Sequence, residues 1–389
     1  MLWFLSLLLV LLGCLGNDMR VNGAQSYRKG KATETHSCHY VRQVSDSMRS
    51  PEEMRPDGLN STFYKKYTEA YGIPILGSNK VSDDALKRAC YTVRYLFAGH
   101  SGVRNTFYKL GGRFAIMAET EVTLDVPEHS KMGSIWNTRA RGLGGTLPTP
   151  LTTGAEENLL CTKTDRYPKE DIFLHEAAHA VDLIAARVAI PTFVKAKEDA
   201  FKNAKAKGLW DNTYAMTNSV EYFAEGVQSY FNVNNEGPAG GDAIHNNIDT
   251  RAELKTYDPL LYKLIEEIFP CDNAYLKRCD STRAKEQAQT LKMSCNTADK
   301  DIPDNLNNPS CPDSRPIDCL VWMIGGECQR NPGYMNSNCK ASCNACPKPP
   351  ADCVDSSTWC EAWAESGECK NNPGYMLSNC KWSCAQCYV

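Results

Sequence analysis

The placement of cysteine restricts this chain more than any other feature. Nineteen cysteines occur in 389 residues, and twelve of them lie between Cys311 and Cys387. Spacing resolves the twelve into two copies of one unit. Cys311, Cys319, Cys328, Cys339, Cys343 and Cys346 are separated by 7, 8, 10, 3 and 2 residues, and Cys353, Cys360, Cys369, Cys380, Cys384 and Cys387 by 6, 8, 10, 3 and 2. Each copy also carries GEC, NPGYM and SNCK. A unit shorter than about 40 residues buries too little apolar surface to fold unaided, so cross-links must supply the stability. Spacing alone does not select among the pairings that six cysteines allow.

Six further cysteines, Cys38, Cys90, Cys161, Cys271, Cys279 and Cys295, are spread thinly before the repeats, and their pairing is left open. The remaining one, Cys14, falls in the apolar run MLWFLSLLLVLLGCLG, whose length suits a secretory signal peptide over residues 1–23. Its removal leaves an even number of cysteines, as full pairing in an oxidising compartment requires. The expectation is a secreted, extracellular chain with one glycosylation sequon at Asn60. No later segment could span a membrane. With 43 Lys plus Arg against 46 Asp plus Glu, the formal charge of −3 gives no footprint for nucleic acid. Composition shifts then divide the chain. Residues 24–70 form an N-terminal segment and a candidate pro-region, 71–295 a main domain, 296–310 a polar linker, and 311–346 and 353–387 the two repeats.

Over their full length both repeats resemble the ShKT module. The resemblance implies pairing of first with sixth, second with fourth and third with fifth cysteine. These are Cys311–Cys346, Cys319–Cys339, Cys328–Cys343, Cys353–Cys387, Cys360–Cys380 and Cys369–Cys384. Channel-blocking members of that family use a Lys-Tyr pair, whereas here Gly333 and Gly374 precede Tyr334 and Tyr375. The tyrosines are therefore read as structural. The modules are read as accessory binding units for an extracellular-matrix or cell-surface ligand.

The main domain carries its chemistry in FLHEAAHAVDLIA, residues 173–185. Pro168, Lys169, Glu170 and Asp171 resemble a helix first turn, and dense apolar residues from Ile172 predict a buried helix. His175 and His179, four apart, then share one face, as two imidazoles converging on a tetrahedral zinc ion require. Glu176, rotated by about 100°, can lean over the metal without ligating it. Catalytic zinc needs a third protein ligand. The extended pattern with a third histidine fails, because Asp182 and Ala185 stand where its glycine and histidine would be. The downstream stretch NSVEYFAEGVQSYF offers Glu221 and Glu225, four apart among aromatic residues. A carboxylate pair buried there needs a cation or strong hydrogen bonds. The residues themselves leave open which of the two is the ligand and which accepts a histidine N–H.

HEAAHAVD, Tyr214 and EYFAE together resemble the protease domain of anthrax lethal factor and its secreted relatives, over about residues 70–270. The resemblance implies His175, His179 and Glu221 as zinc ligands and Glu176 as general base. It further implies Tyr214 as the phenol facing the metal, with Glu225 and Asp182 supporting the ligands from behind. The expected fold is α+β, a zincin-like domain with an active-site helix and mixed sheet, followed by two small disulfide-rich ShKT domains. The expected activity is zinc-dependent hydrolysis of a protein or peptide substrate. The alternative is a non-catalytic matrix or binding protein, or a venom component, acting through the modules. GGRFAIMAETEVTLDVPEH reads either as a substrate-aligning sheet edge or as an ordinary core strand. RARGLGGTLPTPLTTGAEEN reads as a loop near the cleft, because GLGGT lacks the lysine and spacing of a phosphate-binding loop. His36, His39, His100, His129 and His245 show no ligand-like spacing.

Overall fold

A computed structural model of the chain describes residues 38, 40–44, 60 and 62–270, and in the C-terminal part 311, 314, 319, 322–323, 327–340, 343, 345, 356–357, 360, 368–381 and 384. The expected signal peptide, the linker, Cys271, Cys279 and Cys295 lie outside the described residues. The chain divides into two compact units, Met1–Asp301 and Ile302–Val389.

The first unit is built on a five-stranded mixed sheet in sequential order. β1 (Arg42–Gln43), β2 (Lys66–Ala70) and β3 (Ile73–Gly77) run antiparallel, while β3, β4 (Arg113–Met117) and β5 (Leu151–Ala155) run parallel. The two-residue turn joining β2 to β3 places Tyr71 at φ 55° and Gly72 at φ 72°. Positive φ at both positions is the type I′ geometry, whose twist matches the strands it joins. IPILG, RFAIM and LTTGA are buried along their whole length, as strands covered on both faces should be. The expected boundary at residue 70 falls between two hydrogen-bonded strands, so the sheet extends N-terminal of it. A disulfide between Cys38 and Cys90 ties the start of this segment to the first helix. Closing its span of 52 residues stabilises the fold by about 4 kcal/mol in the chain-entropy account.

Helices α1 (Asp83–Phe97) and α2 (Ser101–Lys109) carry the chain from β3 to β4. After β5 come α3 (Ile172–Ala180), which continues into a π-helical segment at Val181–Ala186, then α4 (Phe193–Ala206), α5 (Ser219–Tyr230), α6 (Arg251–Tyr257) and α7 (Pro259–Ile268). The first turn of α3 differs from expectation. Asp171 caps the helix by accepting from the Leu174 N–H, so Pro168, Lys169 and Glu170 precede it. A row of phenylalanines fixes α3 on the sheet: Phe97 to Phe107 at 4.8 Å, Phe107 to Phe114 at 5.5 Å and Phe114 to Phe173 at 5.5 Å between ring centres. Gly154 of β5 is required here, since a Cβ would meet Phe173 Cδ2 at 2.5 Å. Helix α3 thus lies between β5 and α5. β4, one of whose two readings was a sheet edge, is an interior strand flanked by β3 and β5. Outside β5, Leu143 alone pairs antiparallel with Thr153.

One polar cluster lies inside this unit. Glu128 accepts from the Tyr64 hydroxyl and from Arg113, both at 2.7 Å. Adjacent His129 is 5% exposed, and burial depresses its pKa to about 4. Its neutral form is favoured on folding, so its contribution is complete above pH 6.5 and lost as pH falls toward 4. The loss should approach about 3 kcal/mol. Denaturant titration from pH 7 to 4 checks this: His129→Gln should flatten the stability curve, and an unchanged slope would refute the assignment.

In the second unit, α8 (Glu327–Arg330) and α9 (Pro332–Asn338) recur as α10 (Glu368–Asn371) and α11 (Pro373–Asn379). Each copy has a small core of one methionine and cysteines: Met335 with Cys319 and Cys339, and Met376 with Cys360 and Cys380.

Candidate metal centre

Helix α3 presents His175 and His179 toward α5, whose first turn presents Glu221. Asn218 caps α5 by accepting from the N–H groups of Val220 and Glu221, which fixes Glu221 in that turn. His175 Nε2 and His179 Nε2 are 3.0 Å apart, and Glu221 Oε2 lies 3.2 Å from the first and 3.1 Å from the second. A tetrahedral ion with bonds of about 2.0–2.2 Å spaces its ligand atoms roughly 3.3 Å apart. The three atoms therefore converge on one point at the right separation. All three residues are buried, and Glu221 Oε1 has no hydrogen-bond partner among the described residues. Two imidazole nitrogens, one carboxylate oxygen and an orphaned buried oxygen suit a cation that accepts N and O ligands. This group can hold a metal ion.

Electrostatics agree with that chemistry. Burial disfavours the His175 imidazolium, but the hydrogen bond and charge of Glu221, with Glu225 and Glu176 nearby, outweigh it and raise the pKa to about 10. Burial likewise opposes Glu221 ionisation, yet His179 and His175 hold its carboxyl well below the usual range. A cation entering at neutral pH must displace the proton on His175. Glu176, on the next position of α3, keeps part of its surface open. Burial and the negative charge of Glu221 raise its pKa against the opposing pull of both histidines and a Gly144 N–H. Tyr214 opens the turn before α5, and its N–H donates to the Ile244 carbonyl at 2.8 Å. Burial, the charges of Glu221, Glu176 and Glu225, and a hydrogen bond to Glu221 push its phenol pKa up, so it stays a donor.

Sequence reasoning missed one residue at the centre. His175 Nδ1 is 2.8 Å from Gln228 Oε1, while Glu225 Oε1 stands at 3.6 Å, too far for a hydrogen bond. Gln228 Nε2 donates to the Asp171 carbonyl at 3.2 Å and lies 3.4 Å from Glu170 Oε2, which fixes its amide oxygen toward the imidazole. Gln228 thereby selects the tautomer with a proton on Nδ1, so that Nε2 can turn a lone pair to an ion once the second proton is displaced. Glu225 accepts instead from Asn234 and supplies negative charge behind His175. Asp182 is also elsewhere: it ion-pairs with buried Lys197, and Arg187 lies 4.0 Å away. In an α-helix Asp182 would share the face of His179, but the wider π-helical winding from Val181 turns it toward α4. Gln228→Ala should weaken metal affinity by about 10- to 100-fold. Competition with a chromogenic chelator measures it, and an unchanged affinity would remove Gln228 from the site.

The second unit is organised by its cross-links. Disulfides join Cys319 to Cys339, Cys328 to Cys343, Cys360 to Cys380 and Cys369 to Cys384, the second-to-fourth and third-to-fifth pattern in both copies. Their spans of 20 and 15 residues each contribute about 3 kcal/mol. Cys311 is disulfide-bonded. Cys346, Cys353 and Cys387, and with them the two first-to-sixth pairs, lie outside the described residues. Residues 310–346 and 352–387 match a family model described as ShK domain-like. These two stretches are ShK-like modules. No curated protein and no solved structure matches the chain. Within the ShK modules Tyr334 and Tyr375, read as structural, are 41% and 43% exposed. Tyr334 meets Trp322 edge-on at 5.6 Å, leaving the rest of its ring outward. In the first unit Asn60 is exposed, as an acceptor of glycan must be.

Proposed function

We propose that the chain is a secreted zinc endopeptidase of the lethal-factor-like class, with the ShK modules as accessory binding units. The convergence of His175, His179 and Glu221 beside Glu176 and Tyr214 carries this reading. The three ligands would hold zinc, with Gln228 orienting His175. Bound there, zinc supplies Lewis acidity that polarises a peptide carbonyl and acidifies water. Glu176, its pKa raised by burial beside the ligands, would remove a proton from the attacking water and deliver it to the departing amine. Tyr214, kept protonated, donates to the oxygen on which negative charge develops. A structural metal site needs neither an adjacent carboxylate base nor a poised phenol. Disulfides and ShK modules favour an extracellular setting.

The test is cleavage of a peptide library by the purified full-length protein. Hydrolysis that a zinc chelator stops and added zinc restores supports the reading; absence of cleavage by zinc-loaded protein overturns it. Tyr214→Phe should lower kcat by about 10²- to 10³-fold with the metal retained, and an undiminished rate would exclude the phenol from the mechanism. A non-catalytic binding role has one observation in its favour, the equivalent exposed tyrosines of the two modules. Recognition of a matrix or cell-surface ligand through them would complement proteolysis.

A further inference from the structure

The segment Arg141–Gly145, within the stretch read as a loop near the cleft, packs against Glu176 and His179 of α3. Leu143 exchanges both backbone hydrogen bonds with Thr153 of β5, at 3.2 and 2.9 Å. In such a pair the backbone groups of the two neighbouring residues point away from the partner strand. Gly144 turns that outward N–H to the α3 side, where it favours the ionised Glu176 carboxylate. Neither flanking glycine has room for a side chain. A Cβ on Gly142 would stand 2.7 Å from Glu176 Cγ and 3.3 Å from Glu176 Oε1, and a Cβ on Gly144 would stand 2.5 Å from His179 Cβ. Contacts under about 3.0 Å force one partner to move.

The strap is anchored from behind. Buried Arg141 clamps Glu157 with two parallel bonds, Nε to Oε1 at 2.5 Å and Nη2 to Oε2 at 2.8 Å. Its remaining donors go to the Glu121 carbonyl at 2.5 Å and the Ala118 carbonyl at 3.1 Å. Fork geometry of this kind holds a guanidinium in one orientation. Thr123 Oγ1 donates to the Ala140 carbonyl at 2.8 Å, fixing the residue before it. The chain therefore enters Gly142 from a rigid support and leaves through a single strand pair.

We infer that Gly142–Leu143–Gly144 is a positioning strap for Glu176, with Arg141 as its anchor. It packs against the Glu176 side chain at Cγ and Oε1 and so restricts where the carboxylate can sit. Glycine is needed at both flanks because the strap passes too close to Glu176 and His179 of α3 for a Cβ. The inference rests on the proposed peptidase activity for its catalytic consequence, but its geometry can be read without turnover.

Gly142→Ala is the direct test, made alone and in a Glu176→Ala background where the opposing Cγ is gone. The expected loss of thermal stability from Gly142→Ala is at least twice as large with Glu176 present as in the Glu176→Ala background. If Gly142→Ala alone fails to fold, folding of the double variant is the same result. Equal losses in both backgrounds, or failure of both, overturn the strap. For catalysis, Gly142→Ala should keep its zinc and its KM while kcat falls about 100-fold, the usual consequence of an ångström-scale displacement. An unchanged kcat in a folded, cleaving Gly142→Ala protein also overturns the inference. Absence of cleavage by the native protein would instead refute the peptidase reading, and the stability comparison would still decide the strap.

Discussion

Glu176→Gln should retain one zinc per chain and lose hydrolysis. The amide matches the carboxylate in shape and adds no bulk beside Gly142. It cannot take a proton from water near neutral pH. Burial and the charge of Glu221 raise the native pKa of Glu176 above the ordinary carboxylate value. Losing a positioned acid-base group costs typically about 10²- to 10⁴-fold in rate, and a base used twice in one turnover belongs near the upper end. Single-turnover assays at saturating peptide, with metal content measured on the same sample, separate chemistry from binding. Turnover within tenfold of native would remove Glu176 from its role. Loss of zinc together with activity would mean that the carboxylate supports the metal instead.

The second large effect separates two glutamates one helical turn apart. Glu221 places Oε2 within 3.2 Å of both ligand nitrogens, whereas Glu225 reaches only His175 Nδ1, at 3.6 Å, and is already bonded to Asn234. Glu221→Ala removes one ligand of three and also the charge that holds His175. Its metal affinity should fall by well over 100-fold, beyond what losing a supporting residue costs. Glu225→Ala should cost about 10-fold or less, because Gln228 still fixes His175. Zinc stoichiometry after dialysis against a weak chelator reads both variants. The reverse order of loss would make Glu225 the ligand and refute the geometry described for α5.

Much of this centre was legible because helices repeat. Four-residue spacing placed His175 and His179 on one face, and the same periodicity marked Glu221 and Glu225 as a pair too costly to bury without compensation. Gln228 lies seven residues beyond Glu221, two turns along the same stripe, and that spacing was the available signal. It was overlooked because glutamine carries no charge and its amide can be satisfied by ordinary hydrogen bonds anywhere in a fold. Asp182 was misplaced for a different reason. Its fate depends on the π-helical winding after Ala180 and on Lys197 in another helix, neither of which local periodicity encodes. Gly142 and Gly144 read as loop glycines because their constraint comes from side chains on α3, more than thirty residues away in sequence.

Strand roles divided in the same way. RFAIM was recognisable as a strand from its residue types, but whether it lay inside the sheet or at its rim depended on β3 and β5. In the C-terminal unit the family resemblance, not the spacing, anticipated the four disulfides that are described. Outward Tyr334 and Tyr375 were not anticipated. The methionine that follows each one, not the tyrosine, lies in the small core.

The central claim is that His175, His179 and Glu221 form a zinc site. Zinc-edge X-ray absorption on the purified, zinc-loaded full-length protein tests it most directly, with metal content measured in parallel. The expected result is one zinc per chain, with two imidazole nitrogens at about 2.0–2.1 Å and a carboxylate oxygen at about 2.0–2.2 Å. Glu221→Ala should remove the signal. Sulfur in the first coordination sphere, or an unchanged spectrum and zinc content after Glu221→Ala, would contradict it.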